Sequence, residues 1–307
     1  MERLQDFRLF YNHTIHPELL RMERRRKRLL TLLVLSSIFL ILVFVLQFYV
    51  HRLAVTLILL ILIGFYIAYL LYKMREFKIT FKPNIMNLIM DFIDDEVNYG
   101  TLTYTANKKI PKKEFLRSAL FATPAPYYEG EDHIKGSYRE LTFELCELHV
   151  RELSKVRNRL NYIFKGVFLV GVYGDKNTKG RIIVLPRDYQ QYQARTIKVF
   201  NDNGGKRVDD VSRKFSKTFI TLASRGAPVE HTLSSDMQRA ILKYRDRTEK
   251  EIYISFIDEK VYIAVTEPKD LLEPEIFRSN VSFELVREFF EDLQLLFSVL
   301  EDLDVNN

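Results

Sequence analysis

The segment FELCELHV, residues 143–150, holds the side chains whose types and spacing could best support chemistry. Glu144, Glu147 and His149 are of the types that ligate metals or act as a general acid and base. Side chains alternate along a strand, so Glu147 and His149 would share a face, and Glu144 would join them only beside a bulge. Since no second His or Cys stands at ligand spacing, we interpret the three as solvent-facing polar residues. Glu147 and His149 remain secondary candidates for a catalytic pair.

Cys146 is the single cysteine of the chain. A nucleophilic thiol needs a nearby base and an electropositive setting. Cys146 instead has the strand parity of the apolar Leu148 and Val150, which predicts a buried thiol in the core. One cysteine also excludes an intramolecular disulfide and agrees with a reducing compartment.

Residues 174–180 begin and end with glycine and contain lysines, features that a phosphate-binding loop would share. The segment does not satisfy the G-x-x-x-x-G-K-[ST] pattern, and a strand rather than a helix is predicted to follow it. We therefore predict a hairpin turn here. The chain also lacks H-E-x-x-H, G-x-S-x-G, a dinucleotide fingerprint and zinc spacing. We therefore assign no catalytic, cofactor-binding or metal residue from a motif, although these absences do not exclude an enzyme, since catalytic carboxylates need no local signature.

Two apolar runs, residues 29–50 and 53–72, dominate the first part of the chain. As helices they would measure roughly 33 Å and 30 Å, against a hydrocarbon core of about 30 Å. One uninterrupted helix would be twice too long, so we predict a transmembrane hairpin over residues 29–72 that turns near His51 and Arg52. Gly64 and Ala68 make a small-xxx-small step that would let the first helix approach closely, although chance spacing explains it equally well.

Basic residues flank both runs, and such residues are retained on the cytoplasmic side of a membrane. The predicted membrane-surface contacts are Arg21, Arg24, Arg25, Arg26, Lys27, Arg28, Lys73 and Arg75. Both termini should therefore be cytoplasmic. A secretory signal peptide is the competing interpretation, but the apolar region and the arm before it are too long for one.

The net charge of +6 is concentrated beside the membrane. Residues 1–28 have eight Lys and Arg against four Asp and Glu, whereas residues 73–307 have thirty-seven against thirty-six. The first segment is suited to a bilayer with anionic headgroups. The second is balanced and has no electrostatic footprint for DNA or RNA, so we predict no nucleic-acid partner.

Residues 1–28 form a basic amphipathic arm. Leu4, Phe7 and Phe10 have helical spacing, and the pattern breaks before Pro17, where a new helix is expected to begin. An arm of this kind could lie on the membrane surface or pack on the folded domain, and its sequence favours neither.

Residues 73–307 are predicted to form a cytoplasmic α+β domain of mostly antiparallel sheet packed with helices. A helical apolar stripe that includes Ile85 and Ile89 is expected to begin a new helix at Pro83. Residues 163–173 are apolar on both faces, which is typical of a central strand. Within residues 143–150 the apolar positions change parity, which suggests a bulge.

Residues 251–265 give the clearest hairpin pattern. A two-residue turn at Asp258 and Glu259 would make one face wholly apolar. The facing pairs would be Phe256 with Val261, Ile254 with Ile263, and Ile252 with Val265.

Two further helices are indicated towards the end of the chain. Ser234 or Ser235 would cap the first, and Ser282 would cap the second. The second has an apolar stripe that includes Phe289, Leu293 and Phe297, and its opposite, polar face includes Asp292. This last helix should close over the sheet.

Several segments together resemble a known family. They are residues 7–28, YYEGEDHIKG at 127–136, FELCELHV at 143–150, residues 163–186 and residues 254–274. In these the chain resembles the bacterial proteins grouped as domain of unknown function 3137. The resemblance implies a basic arm, two adjacent membrane spans and a cytoplasmic α+β domain in a bacterial inner membrane. It implies no activity.

The sequence favours a membrane-tethered binding or scaffold module, without a cofactor, that binds a protein partner or the inner leaflet. The alternative is an enzyme that acts on a membrane-associated or envelope-precursor substrate. A third hypothesis is a helper subunit whose hairpin packs against another membrane protein.

Overall fold

The structure is a computed structural model that describes residues 2–50, 53–96, 102–138, 141–153, 160–172, 178–187, 191–268 and 272–305. The chain divides into two compact units. Unit 1 comprises Met1–Phe92 and Leu271–Glu288, and unit 2 comprises Ile93–Asp270 and Phe289–Asn307.

The helices and strands follow one another in two stretches, an all-helical one and a mixed one. The helices are α1 Glu2–Phe10, a π-helical turn Tyr11–Ile15, α2 His16–Val50, α3 Leu53–Glu96, α4 Lys112–Arg117, α5 Gln191–Asp202, α6 Arg213–Thr218, α7 Val229–Thr232, α8 Ser235–Thr248 and α9 Phe283–Val305. The strands are β1 Thr103–Thr105, β2 Tyr127–Tyr138, β3 Leu141–Leu153, β4 Leu160–Val172, β5 Thr178–Pro186, β6 Lys206–Val208, β7 Phe219–Ala223, β8 Ile252–Asp258 and β9 Lys260–Thr266.

Both predicted apolar spans lie within helices that are longer than the spans. Residues 29–50 form the second half of α2, and residues 53–72 form the first half of α3. The predicted turn at His51 and Arg52 lies outside the described residues. Two helices therefore have the length and apolar composition needed to cross a membrane.

Pro83 does not begin a new helix, contrary to the prediction, because α3 runs through it to Glu96. Proline removes one backbone hydrogen bond from a helix interior. The apolar stripe continues across this position, since Phe81, Ile85 and Ile89 are all buried. Burial of that stripe offsets the local cost of proline and keeps the helix intact.

The N-terminal arm packs on the second half of α3 within unit 1. The ring centroids of Phe7 and Phe92 lie 5.2 Å apart. At the other end of the contact, Arg25 Nη2 donates to Glu76 Oε1 at 2.9 Å. Residue numbers rise along one helix as they fall along the other, so the two helices run antiparallel. Of the two placements left open for the arm, the structure shows packing on protein.

Unit 2 is built on one antiparallel sheet. Among the described residues nine strands lie in the order β1-β2-β3-β4-β9-β8-β5-β7-β6. The α+β prediction is confirmed, and β4 is an interior strand with a partner at each edge, as expected. The predicted hairpin register is also confirmed, because Phe256 pairs with Val261, Ile254 with Ile263, and Ile252 with Val265.

The predicted hairpin at residues 174–180 is wrong, although residues 173–177 themselves lie outside the described residues. Strand β4 pairs with β3 and β9, and β5 pairs with β8 and β7. The β8–β9 hairpin, which comes later in the chain, lies between β4 and β5. A strand that is apolar on both faces needs partners at both edges, and its sequence does not say which strands supply them.

Helices and loops cover both faces of the sheet. On one face, Cys146, Leu148 and Val150 belong to a buried cluster with Phe121 and Phe200. On the other face, the rings of Phe143 and Phe297 lie 5.2 Å apart, so α9 closes over the sheet as predicted. Burial on both faces explains the change of parity in β3. The register shift lies in the partner strand β2, between Glu131 and Ile134, and a second shift follows Val150.

Helices α8 and α9 agree with the sequence prediction at one position and differ from it at another. Ser234 Oγ accepts a hydrogen bond from Met237 N at 3.2 Å, so the predicted cap of α8 is confirmed. Asp292 was expected on the polar face of α9, but it is buried at 5 % exposure. Hydrogen bonds from Tyr244 and Lys250 compensate its charge there.

Candidate functional site on strands β2 and β3

A bulge in β2 brings acidic side chains together opposite β3. Glu131 pairs with Glu147, but the next pair in register is Ile134 with Leu145. Asp132 and His133 therefore lie opposite the single residue Cys146, so β2 has one extra residue here. Asp132 adopts a left-handed conformation with φ of 58°, which Asp tolerates better than most residues. Its backbone N–H donates to Ala106 O at 2.9 Å.

Three carboxylates converge at the bulge, and we call Glu131, Asp132 and Glu147 the carboxylate cluster. One oxygen from each lies within 4.8 Å of the others. Glu147 and Asp132 are buried, at 2 % and 7 % exposure, and Glu131 is the most accessible of the three. Tyr104 Oη donates to Asp132 Oδ1 at 2.5 Å. Carboxylates arranged in this way can bind a hard divalent cation through their oxygens, or they can share a proton.

Glu147 and His149 are in contact, as their strand positions predicted. His149 Nε2 lies 3.1 Å from Glu147 Oε1. Glu147 does not face solvent, however, so the expectation of an ordinary polar strand face is wrong at this position. The bulge in β2 and the covering of both sheet faces bury the carboxylate.

Glu144 does not join this pair. Its Oε2 lies 3.1 Å from His133 Nε2, and Lys135 Nζ lies 3.7 Å from its Oε1. The sequence reasoning missed His133, Asp132 and Glu131 as members of a site. Their signal was the run Glu-Asp-His next to Gly130 in a strand whose alternation breaks, which is typical of a bulge.

Cys146 is a buried core thiol, as predicted. It is 0 % exposed, and Ile110 N donates to its Sγ at 3.3 Å. Burial raises the pKa of the Cys146 thiol to about 12. A thiol with so high a pKa is protonated at neutral pH, so Cys146 lacks the thiolate that nucleophilic chemistry requires.

The comparisons with known proteins give one finding. The sequence model of the family described as "Protein of unknown function (DUF3137)" matches residues 162–305. Residues 162–305 are therefore similar to the DUF3137 family. The comparison with curated proteins found no match, and neither did the comparison with solved structures.

The DUF3137 match covers some of the described elements and not others. It runs from β4 to α9 and therefore includes the β8–β9 hairpin and helices α8 and α9. The carboxylate cluster and the apolar helices α2 and α3 precede it. The match thus supports the family without attaching any activity to the cluster.

The basic residues beside the apolar runs differ from one another in burial and in their ion-pair partners. All of them precede the DUF3137 match. Arg26 is buried, and its Nη2 lies 2.6 Å from Glu23 Oε1. Arg25 and Lys73 both contact Glu76, at 2.9 Å and 2.8 Å. The residues Arg21, Arg24, Lys27, Arg28 and Arg75 are exposed, and so is Arg25 despite its pair with Glu76.

Carboxylates among these basic residues are held ionised. The hydrogen bond from Arg26 lowers the pKa of Glu23. The hydrogen bond from Lys73 is the largest cause that lowers the pKa of Glu76, and Glu76 in turn raises the pKa of Lys73. Of these ion pairs, Arg25–Glu76 joins the arm to α3, just before the first apolar run and just after the second.

Gly64 and Ala68 lie on an open face of α3. A Cβ built on Gly64 would meet no atom within 4 Å among the described residues, and Ala68 is exposed. The close approach of the first helix that this spacing would permit is therefore not made at Gly64.

Proposed function

We propose that this protein is a membrane-tethered module. Residues 29–72 span the cytoplasmic membrane of a bacterium as a hairpin, both termini are cytoplasmic, and unit 2 binds a protein partner. The DUF3137 match over residues 162–305 is compatible with this role.

The exposure of apolar side chains in α2 and α3 is the observation that carries the proposal. In the most apolar window of each helix only 6 % of the residues are buried. Large exposed side chains include Leu35, Phe39 and Phe48 of α2 and Phe65 of α3. Soluble proteins rarely expose contiguous apolar surfaces of this extent, whereas lipid covers them at no cost.

The change of pattern along each helix supports a membrane boundary. In α2, Leu19 and Met22 are buried while Leu35 and Phe39 are exposed. In α3 the order is reversed, since Tyr72 is exposed and Phe77 is buried. The basic residues lie at these transitions, where anionic headgroups would meet them.

Cysteine labelling in spheroplasts tests the proposed topology. Cys146 is buried, so the natural chain supplies an unreactive background. We expect an impermeant maleimide to label His51→Cys in intact spheroplasts and to label Glu230→Cys only after lysis. Labelling of Glu230→Cys before lysis, or release of the chain from membranes by alkaline carbonate, would overturn the proposal.

The partner is tested with the full chain extracted from membranes in mild detergent. A protein retained by the full chain but lost when exposed side chains of unit 2 are replaced would support the binding role. Photo-crosslinkers at Gly64 and Ala68 test a neighbouring membrane helix in the same preparation. Adducts at those positions alone would favour a helper subunit.

The second candidate function is an enzyme that acts on a membrane-associated or envelope-precursor substrate. The observation that favours it is the burial of Glu147 beside Glu131, Asp132 and His149. Turnover of such a substrate by the full chain in nanodiscs, lost in Glu147→Gln and kept in Glu144→Gln, would establish it. Turnover that survives Glu147→Gln would remove the cluster from consideration.

A further inference from the structure

A pocket of about 330 Å³ lies beside α5, within unit 2. We call it the α5 pocket. Its walls include Phe121 and Ala122 from the loop after α4, and Val199 and Phe200 from α5. The ring of Phe200 packs directly on Gly205, where an added Cβ would lie 2.1 Å from ring atoms. Gly205 therefore lets this ring form a fixed wall.

The hydroxyl groups of Thr196 and Ser224, which line the α5 pocket, are engaged by the backbone, and the lining Thr123 Oγ1 donates to Glu152 Oε2 at 3.1 Å. Thr196 Oγ1 accepts from Ala122 N at 3.0 Å and lies 3.2 Å from Leu120 O, to which it donates. Ser224 Oγ accepts from Arg181 N at 2.8 Å. These bonds leave a lining that is mainly apolar to a ligand.

Arg181 is the charged residue among the lining residues. Its side chain is exposed, and within the described part of the chain its guanidinium makes no ion pair or hydrogen bond. An arginine without a carboxylate is suited to bind an anion in bidentate fashion. The pocket thus combines an apolar interior with one cation.

We propose that the α5 pocket binds a single-chain amphiphile with an anionic headgroup. The acyl chain lies between Phe121, Val199 and Phe200, and Arg181 binds the carboxylate or phosphate. Specific pockets of this type have apolar walls and a few polar groups that fix orientation. The charge of Arg181 favours an anion over a neutral alcohol of the same length.

This inference goes beyond the proposed tethering and does not depend on it, because the pocket lies wholly in unit 2. A membrane is, however, the natural source of such a ligand. A free fatty acid and a lysophospholipid share the required chemistry, and competition with each would distinguish them.

Photo-labelling of the full chain tests the proposal. The chain is placed in nanodiscs of zwitterionic phospholipid and irradiated with dodecanoic acid that carries a diazirine near its methyl end. Mass spectrometry then locates the adducts. We expect adducts on residues 116–123 or on α5, suppressed by unlabelled dodecanoate and not by dodecanol. Adducts on residues 29–72 report bilayer contact in the same sample, so failure of the pocket and failure of the tether are distinguishable.

Substitutions sharpen this test. Val199→Trp enlarges a half-exposed lining residue of α5, and Ala122→Leu enlarges a lining residue of the loop after α4, so we expect each to fill the pocket and abolish the pocket adducts. Arg181→Gln should reduce them about threefold to fivefold, as loss of an exposed ion pair would, while Arg181→Lys retains most of them. Lys198→Gln makes the same charge change on the exposed side of α5 and should have no effect.

Three results would overturn the proposal. They are a pocket without adducts while residues 29–72 are labelled, adducts that persist in both filled variants with native circular dichroism, and equal competition by dodecanol and dodecanoate.

Discussion

Lys250 Nζ lies 2.6 Å from Asp292 Oδ2, which joins the second residue after the C-terminal end of α8 to the middle of α9. Tyr244 Oη donates to the other carboxylate oxygen at 2.9 Å, and Glu267 Oε2 lies 2.6 Å from the same ammonium. Burial raises the pKa of Asp292, and the two carboxylates raise the pKa of Lys250 despite burial. This network holds charge inside unit 2, so its members are coupled.

Removal of one member should therefore be costly. We expect Asp292→Ala to lower the free energy of unfolding by about 3–5 kcal/mol, because buried Tyr244 would lose its acceptor and Lys250 would keep only Glu267. Asp246→Ala breaks the exposed pair with Lys214, 3.1 Å apart, and should cost less than about 1 kcal/mol. Chemical unfolding of the full chain followed by circular dichroism measures both. Equal effects would show that the network contributes no more than a surface pair.

Local patterns predicted some elements and failed at others for a physical reason. The β8–β9 register and the Ser234 cap depend on residues close in sequence, and both are confirmed. The same holds for the apolar stripe of α9, which contacts the sheet through Phe297. By contrast, Asp292 looked like a surface residue, because its partners Tyr244 and Lys250 are more than forty positions away.

In the candidate site, too, local patterns predicted relationships between residues close in sequence and missed those between distant residues. Strand alternation alone predicted that Glu147 and His149 share a face, and the structure places them in contact. The convergence of Glu131 and Asp132 on Glu147 depends on the bulge in β2 and on the pairing of β2 with β3. The pairing of β2 with β3 places Asp132 in the bulge of β2. Neither strand's sequence, taken alone, predicts that pairing.

The thiol of Cys146 should be inert in the folded chain. Its pKa is raised to about 12, so the folded state retains the proton between the ordinary value of 9.0 and that pH. A raised pKa means that this contribution to stability is present below pH 9 and is lost as the pH rises towards 12. We expect no reaction with a disulfide reagent at pH 8 until urea is added, and prompt reaction of Lys198→Cys. Fast labelling of Cys146 in the native chain would contradict its burial.

The Glu23–Arg26 pair should make unit 1 sensitive to acid. The pKa of Glu23 is lowered from 4.5, chiefly by the hydrogen bond from Arg26. A lowered pKa gives stability that is present above pH 4.5 and is lost as the pH falls through the folded value. We expect Glu23→Gln to cost about 1.5–3 kcal/mol at pH 7 and much less at pH 3. Thermal unfolding at the two pH values measures this difference, with Glu18→Gln, from an exposed pair, as the control.

Phe7 should hold the N-terminal arm on α3. Its side chain is 0 % exposed and lies between the rings of Phe92 and Phe283, with centroids 5.2 Å and 6.4 Å away. Truncation of a buried Phe to Ala costs about 3–5 kcal/mol, which exceeds what the rest of a short arm can supply. We expect Phe7→Ala to release the arm, so that trypsin cleaves after Arg8 much faster than in the natural chain. Leu9→Ala removes a side chain that is 58 % exposed and should leave the rate unchanged. Equal cleavage in the two variants would mean that the arm is not held through Phe7.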